Sequence, residues 1–137
     1  MSNQNQFITQ LKTNLKQFTG DIGRYQHSFY PQLVYTPGIQ YLAETAGAYW
    51  LIDVIASHLN SSAFQRVVQQ DRRILDLHFW NLTVSDDSSG LVTARVDSGE
   101  EASIKQRIPF TDFPLKSIDL WVAFDGRSLT LYLPSEH

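Results

Sequence analysis

The amino-acid sequence predicts an α+β domain, with an antiparallel sheet of five or six strands packed against two main helices. Three observations predict it. Apolar residues recur every three or four positions near the N-terminus, which indicates a helix with one buried side. An almost wholly apolar stretch follows at residues 46–59, and the second half of the chain alternates with period two, as strands do. At 137 residues, the chain 1–137 is expected to form a single domain.

The first half of the chain is predicted to hold both main helices and a hairpin. The first helix is expected at about 4–18. In the segment 36–39, Thr-Pro-Gly-Ile, proline and glycine suit the two central positions of a type II turn. Residues 33–36 and 39–44 are therefore expected to pair as an N-terminal hairpin. The second main helix is expected at about 45–59, and most of its circumference needs cover.

The second half of the chain is predicted to form a C-terminal four-stranded antiparallel meander. Asp125-Gly126 is a strong two-residue hairpin signal, and a five-residue loop is expected at 86–90. The predicted partners are Val122 with Leu129 across the first turn and Val84 with Val92 across the second. Both registers collect the aliphatic side chains on one face of the sheet, which is why a one-residue slip is excluded.

Composition excludes several classes of function. The net charge of −3 and the scatter of the eleven lysines and arginines argue against nucleic-acid binding. The absence of cysteine excludes disulfides, thiolate metal sites and cysteine nucleophiles. The longest apolar segment, 46–52, is too short to span a membrane, and the N-terminus lacks the pattern of a secretory signal. We therefore expect a cytoplasmic protein without a membrane partner.

Motifs for chemistry are missing from the sequence. It contains no Gly-x-Ser-x-Gly or Ser-x-x-Lys nucleophile motif and no phosphate-binding glycine loop. The four histidines do not follow the spacing of a local metal site. We therefore expect no metal and no cofactor, and the sequence favours a protein that is not an enzyme.

Three residues are the candidates for catalysis, namely Asp53, Glu44 and His27. Glu44 is expected just before the second main helix, where a carboxylate stabilises the free amides of the first turn. Asp53 has two interpretations, which stay open at this point. A buried carboxyl group would have a raised pKa suited to acid–base work, whereas a solvent-facing one would lie on a polar stripe with Ser57 and Asn60.

Aromatic residues near these acids are the candidates for ligand binding. Tyrosine offers an apolar ring with a polar tip, which suits the wall of a pocket. The candidates are Tyr35, Tyr41, Tyr49 and Trp50. The alternative role of each is a core residue whose polar tip reaches the rim.

Two other groups have structural explanations. His78 lies on the same face of its strand as Trp80, and a histidine there is expected to satisfy a backbone carbonyl. Residues 134–137, which follow the last strand, are expected to form a solvated tail because Pro134 stops the strand.

A long signature resembles that of an uncharacterised bacterial family, a domain of unknown function. It covers residues 35–53 and reads Tyr-Thr-x-Gly-x-x-Tyr-Leu-Ala-Glu-x-Ala-Gly-Ala-Tyr-Trp-Leu-Ile-Asp. Further matches lie at 79–84, 106–115 and 131–136. The resemblance implies a single bacterial domain of cyanobacteria and proteobacteria, often encoded on mobile elements, and it implies no activity.

The sequence thus favours a small non-enzymatic interaction or accessory module. It is expected to be a homodimer that buries the uncovered side of its apolar helix. One alternative is a small enzyme or ligand-binding domain with a tyrosine-lined pocket near Asp53 and Glu44. A second alternative, which follows from the resemblance alone, is a mobile-element accessory protein that counters host defence.

Overall fold

A computed structural model describes residues 2–19, 23–97 and 99–137, and within them the chain forms five helices and one sheet. The helices are α1 (Ser2–Lys16), α2 (Pro37–Ala46), α3 (Tyr49–Leu59), α4 (Ser62–Gln70) and α5 (Arg73–Asp76). The strands are β1 (Tyr25–Gln26), β2 (Leu33–Tyr35), β3 (Leu77–Val84), β4 (Gly90–Arg95), β5 (Ile104–Ile108), β6 (Ser117–Phe124) and β7 (Leu129–Tyr132). A 3₁₀ turn, Pro134–Glu136, follows the last strand. This arrangement confirms the mixed class, but both the helices and the strands outnumber the prediction.

The seven strands of the described residues form one sheet in the order β1-β2-β7-β6-β3-β4-β5. All neighbours are antiparallel except β2 and β7, which are parallel. The prediction of five or six strands was therefore too low. The predicted strand at 33–36 corresponds to β2, but β1 was not counted, because a strand of two residues leaves little alternation to detect. The second half of the chain also holds five strands, β3 to β7, rather than four.

The C-terminal strands do not follow the predicted meander. After β5 the chain returns to the other side of β3, so that β6 pairs with β3 rather than with β5. The resulting order is that of a Greek key. Burial explains it, because β6 buries Ile118, Leu120 and Val122, whereas every residue of β5 keeps some exposure, as suits an edge strand.

The predicted N-terminal hairpin at 33–44 is wrong in its second half. Thr36 caps the N-terminus of α2 with its hydroxyl, which accepts a hydrogen bond from the amide of Ile39 at 3.3 Å. Pro37 then occupies the first helical position, where its missing N–H costs nothing. The hairpin that does form is β1–β2, with Tyr25 opposite Tyr35.

The helix predicted at about 45–59 corresponds to α3, which begins only at Tyr49 because residues 45 and 46 complete α2. Gly47 ends α2 in the left-handed conformation, with φ of 62°, and its amide donates to the carbonyl of Ala43. Helix α3 begins two residues later. Its buried residues are Leu51, Ile52, Ile55, Ala56 and Leu59, and they are covered within this one chain. Tyr49 is exposed, and Trp50 and Val54 are half-buried, so the surface that a second chain would need to cover is narrow.

Both predicted hairpin registers are wrong by two residues, although the prediction of which side chains face the core is correct. Val122 pairs with Leu131 and Val84 pairs with Gly90. In the first hairpin, Asp125 sits at the start of the turn and its Oδ1 accepts from the amides of Arg127 and Ser128 at 2.9 and 2.7 Å. Because strand side chains alternate with period two, a slip by two changes partners and preserves the buried face.

The predicted solvated tail at 134–137 is instead anchored. Glu136 is buried, and its Oε1 accepts from the Thr36 hydroxyl at 2.6 Å and from the Leu133 amide at 3.0 Å. A Cβ atom on Gly38 would lie 2.7 Å from the same Oε1, so the helix comes close only because that residue is glycine. We call Thr36, Leu133 and Glu136 the C-terminal latch, and it ties the N-terminus of α2 to the end of β7.

Candidate functional site

A group of aromatic and acidic side chains gathers where β1, β2 and the facing ends of α2 and α3 meet. We call it the tyrosine–carboxylate patch, and its members are Tyr25, His27, Phe29, Tyr35, Glu44, Tyr49 and Asp53. It includes all three candidates for catalysis and two of the four aromatic candidates. These residues lie far apart in the sequence, and the fold brings them together.

His27 follows β1 and organises the turn into β2. Its own amide donates to the carbonyl of Leu33 at 2.9 Å, which continues the β1–β2 pairing. Its Nδ1 accepts from the amides of Phe29 and Tyr30 at 3.3 and 3.2 Å. Because backbone amides only donate, Nδ1 carries no proton, and the ring proton is on Nε2. The His27 ring is therefore neutral and locked to its own loop.

His27 uses its one N–H group to hold Asp53. Nε2 donates to Oδ1 of Asp53 over 2.8 Å. The two side chains differ sharply in exposure, at 4% for His27 and 58% for Asp53. A buried donor thus fixes one oxygen of a carboxylate that faces solvent. Ser57 and Asn60 are also exposed, so Asp53 lies on the polar stripe that formed one of its two interpretations.

Glu44 lies in the last turn of α2, not ahead of a helix as predicted, because Gly47 separates α2 from α3. It therefore does not cap an N-terminus. Its Oε1 accepts a hydrogen bond from the Tyr49 hydroxyl at 3.2 Å. Burial, together with the nearby charge of Glu44 and this hydrogen bond, raises the pKa of Tyr49.

Tyr35 lies close enough to both carboxylates for each to affect its pKa. Its pKa is raised by burial and then by the charge of Asp53, with smaller effects from Tyr25 and Glu44. Its ring stacks on that of Tyr25, with centroids 5.6 Å apart and planes at 27°. Because the pKa of Tyr35 is raised, its hydroxyl stays protonated at physiological pH, and the stacked pair offers ring faces beside negative charge.

Tyr25 and Phe29 belong to the patch but were not among the sequence candidates. Tyr25 is 38% exposed, and Phe29, which meets the His27 ring edge-on at 4.3 Å, is 54% exposed. Their position follows from the β1–β2 hairpin, which the sequence misplaced. The signal that could have identified them is the presence of several aromatic residues in one short hairpin, β1–β2.

Two candidates lie outside the patch. Tyr41 packs between α1 and α2, where its ring contacts Phe18 and its hydroxyl accepts from Asn14 at 2.8 Å. It borders a concavity of about 530 Å³ between these helices. Trp50 is half-buried against the core. Neither residue makes a hydrogen bond or ring contact with a member of the patch in the described chain.

The patch is an open surface rather than an enclosed pocket. Tyr49 is 42% exposed, and Asp53, Tyr25 and Phe29 are exposed to a similar degree or more. A shallow apolar concavity of about 420 Å³ lies elsewhere, between α1 and the start of β6. Residues that bind a small molecule usually surround most of its surface, so the patch is better suited to a group that projects from a larger partner.

His78 has a structural role, as predicted. It is fully buried, its Nδ1 donates to the carbonyl of Ile74 at 2.6 Å, and its Nε2 accepts from the indole N–H of Trp80 at 2.7 Å. Burial lowers the pKa of His78 to about 4, against an opposing effect of the Ile74 hydrogen bond. Both ring nitrogens are satisfied, so His78 supports packing and not chemistry.

The described residues contain no cluster of three or more metal-ligating side chains. In the same part of the chain, no helix is long and apolar enough to cross a membrane. The patch itself offers two carboxylates and one histidine, whose Nε2 is hydrogen-bonded to Asp53.

The fold and the patch describe an α+β domain with an open aromatic and acidic surface, and a comparison of the sequence identifies its class. The chain belongs to a family of unknown function, DUF6876, whose profile matches residues 9–137. No curated protein and no solved structure matches the chain.

Proposed function

We propose that this protein is a non-enzymatic interaction module that binds a partner through the tyrosine–carboxylate patch. One observation supports this above the others: a buried, neutral His27 orients an exposed Asp53 among exposed aromatic rings. Aromatic side chains are enriched at protein interfaces because they bury a large area at low entropic cost. A fixed carboxylate at their centre adds orientation to that contact.

The alternative of a small enzyme has less support. In a histidine–aspartate pair that transfers protons, the carboxylate holds one ring nitrogen and the other nitrogen faces the substrate. In His27 that second nitrogen accepts from the Phe29 and Tyr30 amides instead. A mobile-element accessory role, such as countering host defence, is compatible with a binding module, and it rests only on the family resemblance.

Site-specific photocrosslinking tests the proposal. We expect a benzoylphenylalanine at position 49 to crosslink to a partner in cells that naturally contain this protein. The same residue at position 110 is the control, because Phe110 is also exposed, at 62%, and lies beyond β5 on another part of the surface. Partners are identified by mass spectrometry of the crosslinked species.

A specific partner should disappear from the crosslinks at position 49 when Asp53 is also replaced by asparagine. It should persist when Asp86, an exposed acid in the β3–β4 loop, is replaced in the same way. Identical crosslinking at positions 49 and 110, or crosslinking that survives Asp53→Asn unchanged, would contradict the proposal.

Homodimer formation is a second proposal. The apolar surface of α3 left for a second chain is smaller than the sequence predicted, because most of the helix is covered within the chain. Helix α3 still exposes Tyr49 and half-exposes Trp50 and Val54, next to the patch. Light scattering at micromolar concentration tests it, because the chain has a mass of 15.7 kDa. A particle of twice that mass supports the dimer, and replacement of Val54 by glutamate should then restore the monomer. A particle of the single mass removes this proposal without affecting the first.

A further inference from the structure

We propose that the partner group bound by the tyrosine–carboxylate patch is a guanidinium, that of an arginine on the surface of another protein. This inference rests on the proposed function and specifies its ligand chemistry. It follows from the charge of the patch, from its ring faces and from its openness.

The patch carries two negative charges that are not neutralised. Asp53 is held by His27, which is neutral because its Nδ1 accepts hydrogen bonds from backbone amides. Glu44 accepts from a tyrosine hydroxyl, which is also neutral. Within the described residues, neither carboxylate pairs with a lysine or an arginine. The patch therefore attracts a cation and repels phosphate groups, which disfavours nucleic acids and anionic lipids as partners.

Ring faces lie beside these charges. Tyr25 and Tyr35 form a stacked pair, and the Tyr49 ring is anchored at its hydroxyl by Glu44. A cation over the face of a tyrosine gains from the ring quadrupole. A guanidinium is planar, so it stacks on a ring while its N–H groups donate to a carboxylate, and an ammonium ion does not combine these two contacts equally well.

The openness of the patch indicates that the cation is delivered by a protein. The side chain of Asp53 is 58% exposed, so nothing encloses a free small molecule there. An arginine that projects from a partner meets both the fixed carboxylate and the rings, while its backbone remains outside. Arginine is also among the residues that contribute most to protein interfaces.

Titration of the labelled protein by NMR tests this inference directly. The probe is a flexible peptide of glycine and serine with three arginines. The control peptide has citrulline in place of each arginine, because citrulline has nearly the shape of arginine without the charge. At millimolar peptide, we expect the arginine form to shift the amide signals of Tyr35, Tyr49 and Asp53. We expect the citrulline form to leave them unchanged, and added salt to weaken the effect.

Matched variants assign the effect to the patch. Asp53→Asn and Tyr49→Leu should each weaken binding of the arginine peptide about fivefold, the scale of one exposed cation–aromatic or charge contact. Asp86→Asn changes the net charge by the same amount as Asp53→Asn and should have no effect. The amide spectrum of each variant shows directly whether it is folded.

The outcomes separate this inference from the proposed function. Equal shifts with the arginine and citrulline peptides would overturn the guanidinium while leaving the patch as a binding surface. Equal weakening by Asp53→Asn and Asp86→Asn, or the absence of shifts at the patch with the arginine peptide, would overturn it as well. Crosslinking from position 49 to a partner would still stand in either case.

Discussion

Replacing Glu136 by alanine is expected to lower the free energy of unfolding by about 3 kcal/mol. The change removes the buried acceptor of two hydrogen bonds, from the Thr36 hydroxyl and the Leu133 amide. It also leaves that amide without a partner and opens a space beside Gly38. Urea denaturation followed by tryptophan fluorescence measures the loss.

The matched control for this prediction is Glu101→Ala, since Glu101 is exposed and the substitution makes the same change of side chain. It should change the unfolding free energy by less than about 0.5 kcal/mol. A double-mutant cycle with Thr36→Val isolates the hydrogen bond, and the two changes should not be additive. Equal losses for Glu136→Ala and Glu101→Ala would contradict the C-terminal latch.

Acidification is expected to destabilise the protein through His78, by about 3 kcal/mol between pH 6.5 and pH 4. Burial lowers the pKa of His78 in the folded chain to about 4, whereas the unfolded chain retains the ordinary value of 6.5. The unfolded state therefore binds more protons within this interval. The contribution to stability is complete above pH 6.5 and is lost as the pH falls to about 4.

Urea denaturation at a series of pH values measures this dependence. Carboxyl groups titrate in the same range, so the informative quantity is the difference between the wild type and His78→Gln. The variant should lack the part of the slope that His78 contributes. Parallel curves for the wild type and His78→Gln would show that the buried imidazole does not control the acid sensitivity.

The sequence predicts which faces of the strands are buried better than it predicts their neighbours. The alternation in β3, β4, β6 and β7 identifies the apolar face, because side-chain direction is a local property. The position of β6 beside β3 depends on contacts between residues more than 30 positions apart, such as Leu82 with Ile118. Periodicity within a strand contains no information about such pairing.

The segment at 36–38 shows how one local pattern supports two structures. Thr-Pro-Gly suits a type II turn, and it equally suits a helix N-cap followed by proline at the first helical position. The contact between Thr36 and Glu136 favours the helix in the folded chain. Since these residues are 100 positions apart, the sequence pattern near Pro37 does not reveal that contact.

For the candidate site, the sequence identified the acids and His27 but neither their pairing nor the role of each. Glu44 and Asp53 are conspicuous because they interrupt an apolar stretch. That His27 is neutral and holds Asp53 follows from the turn at 28–30, whose amides occupy Nδ1. Tyr41 has the same side chain as Tyr35 and Tyr49, so residue type alone predicted the same role for all three. It lies outside the patch because its side chain extends from α2 to Asn14 of α1.

The parallel pairing of β2 with β7 has a consequence for synthesis on the ribosome. Besides β1, the strand β2 has no sheet neighbour other than β7 in the described chain, and the Thr36 amide also donates to the carbonyl of Leu131. The surface that includes Tyr25, His27 and Tyr35 therefore gains its support only once residues 129–136 have left the exit tunnel. Chains that end before β7 would therefore lack this support for the proposed binding surface.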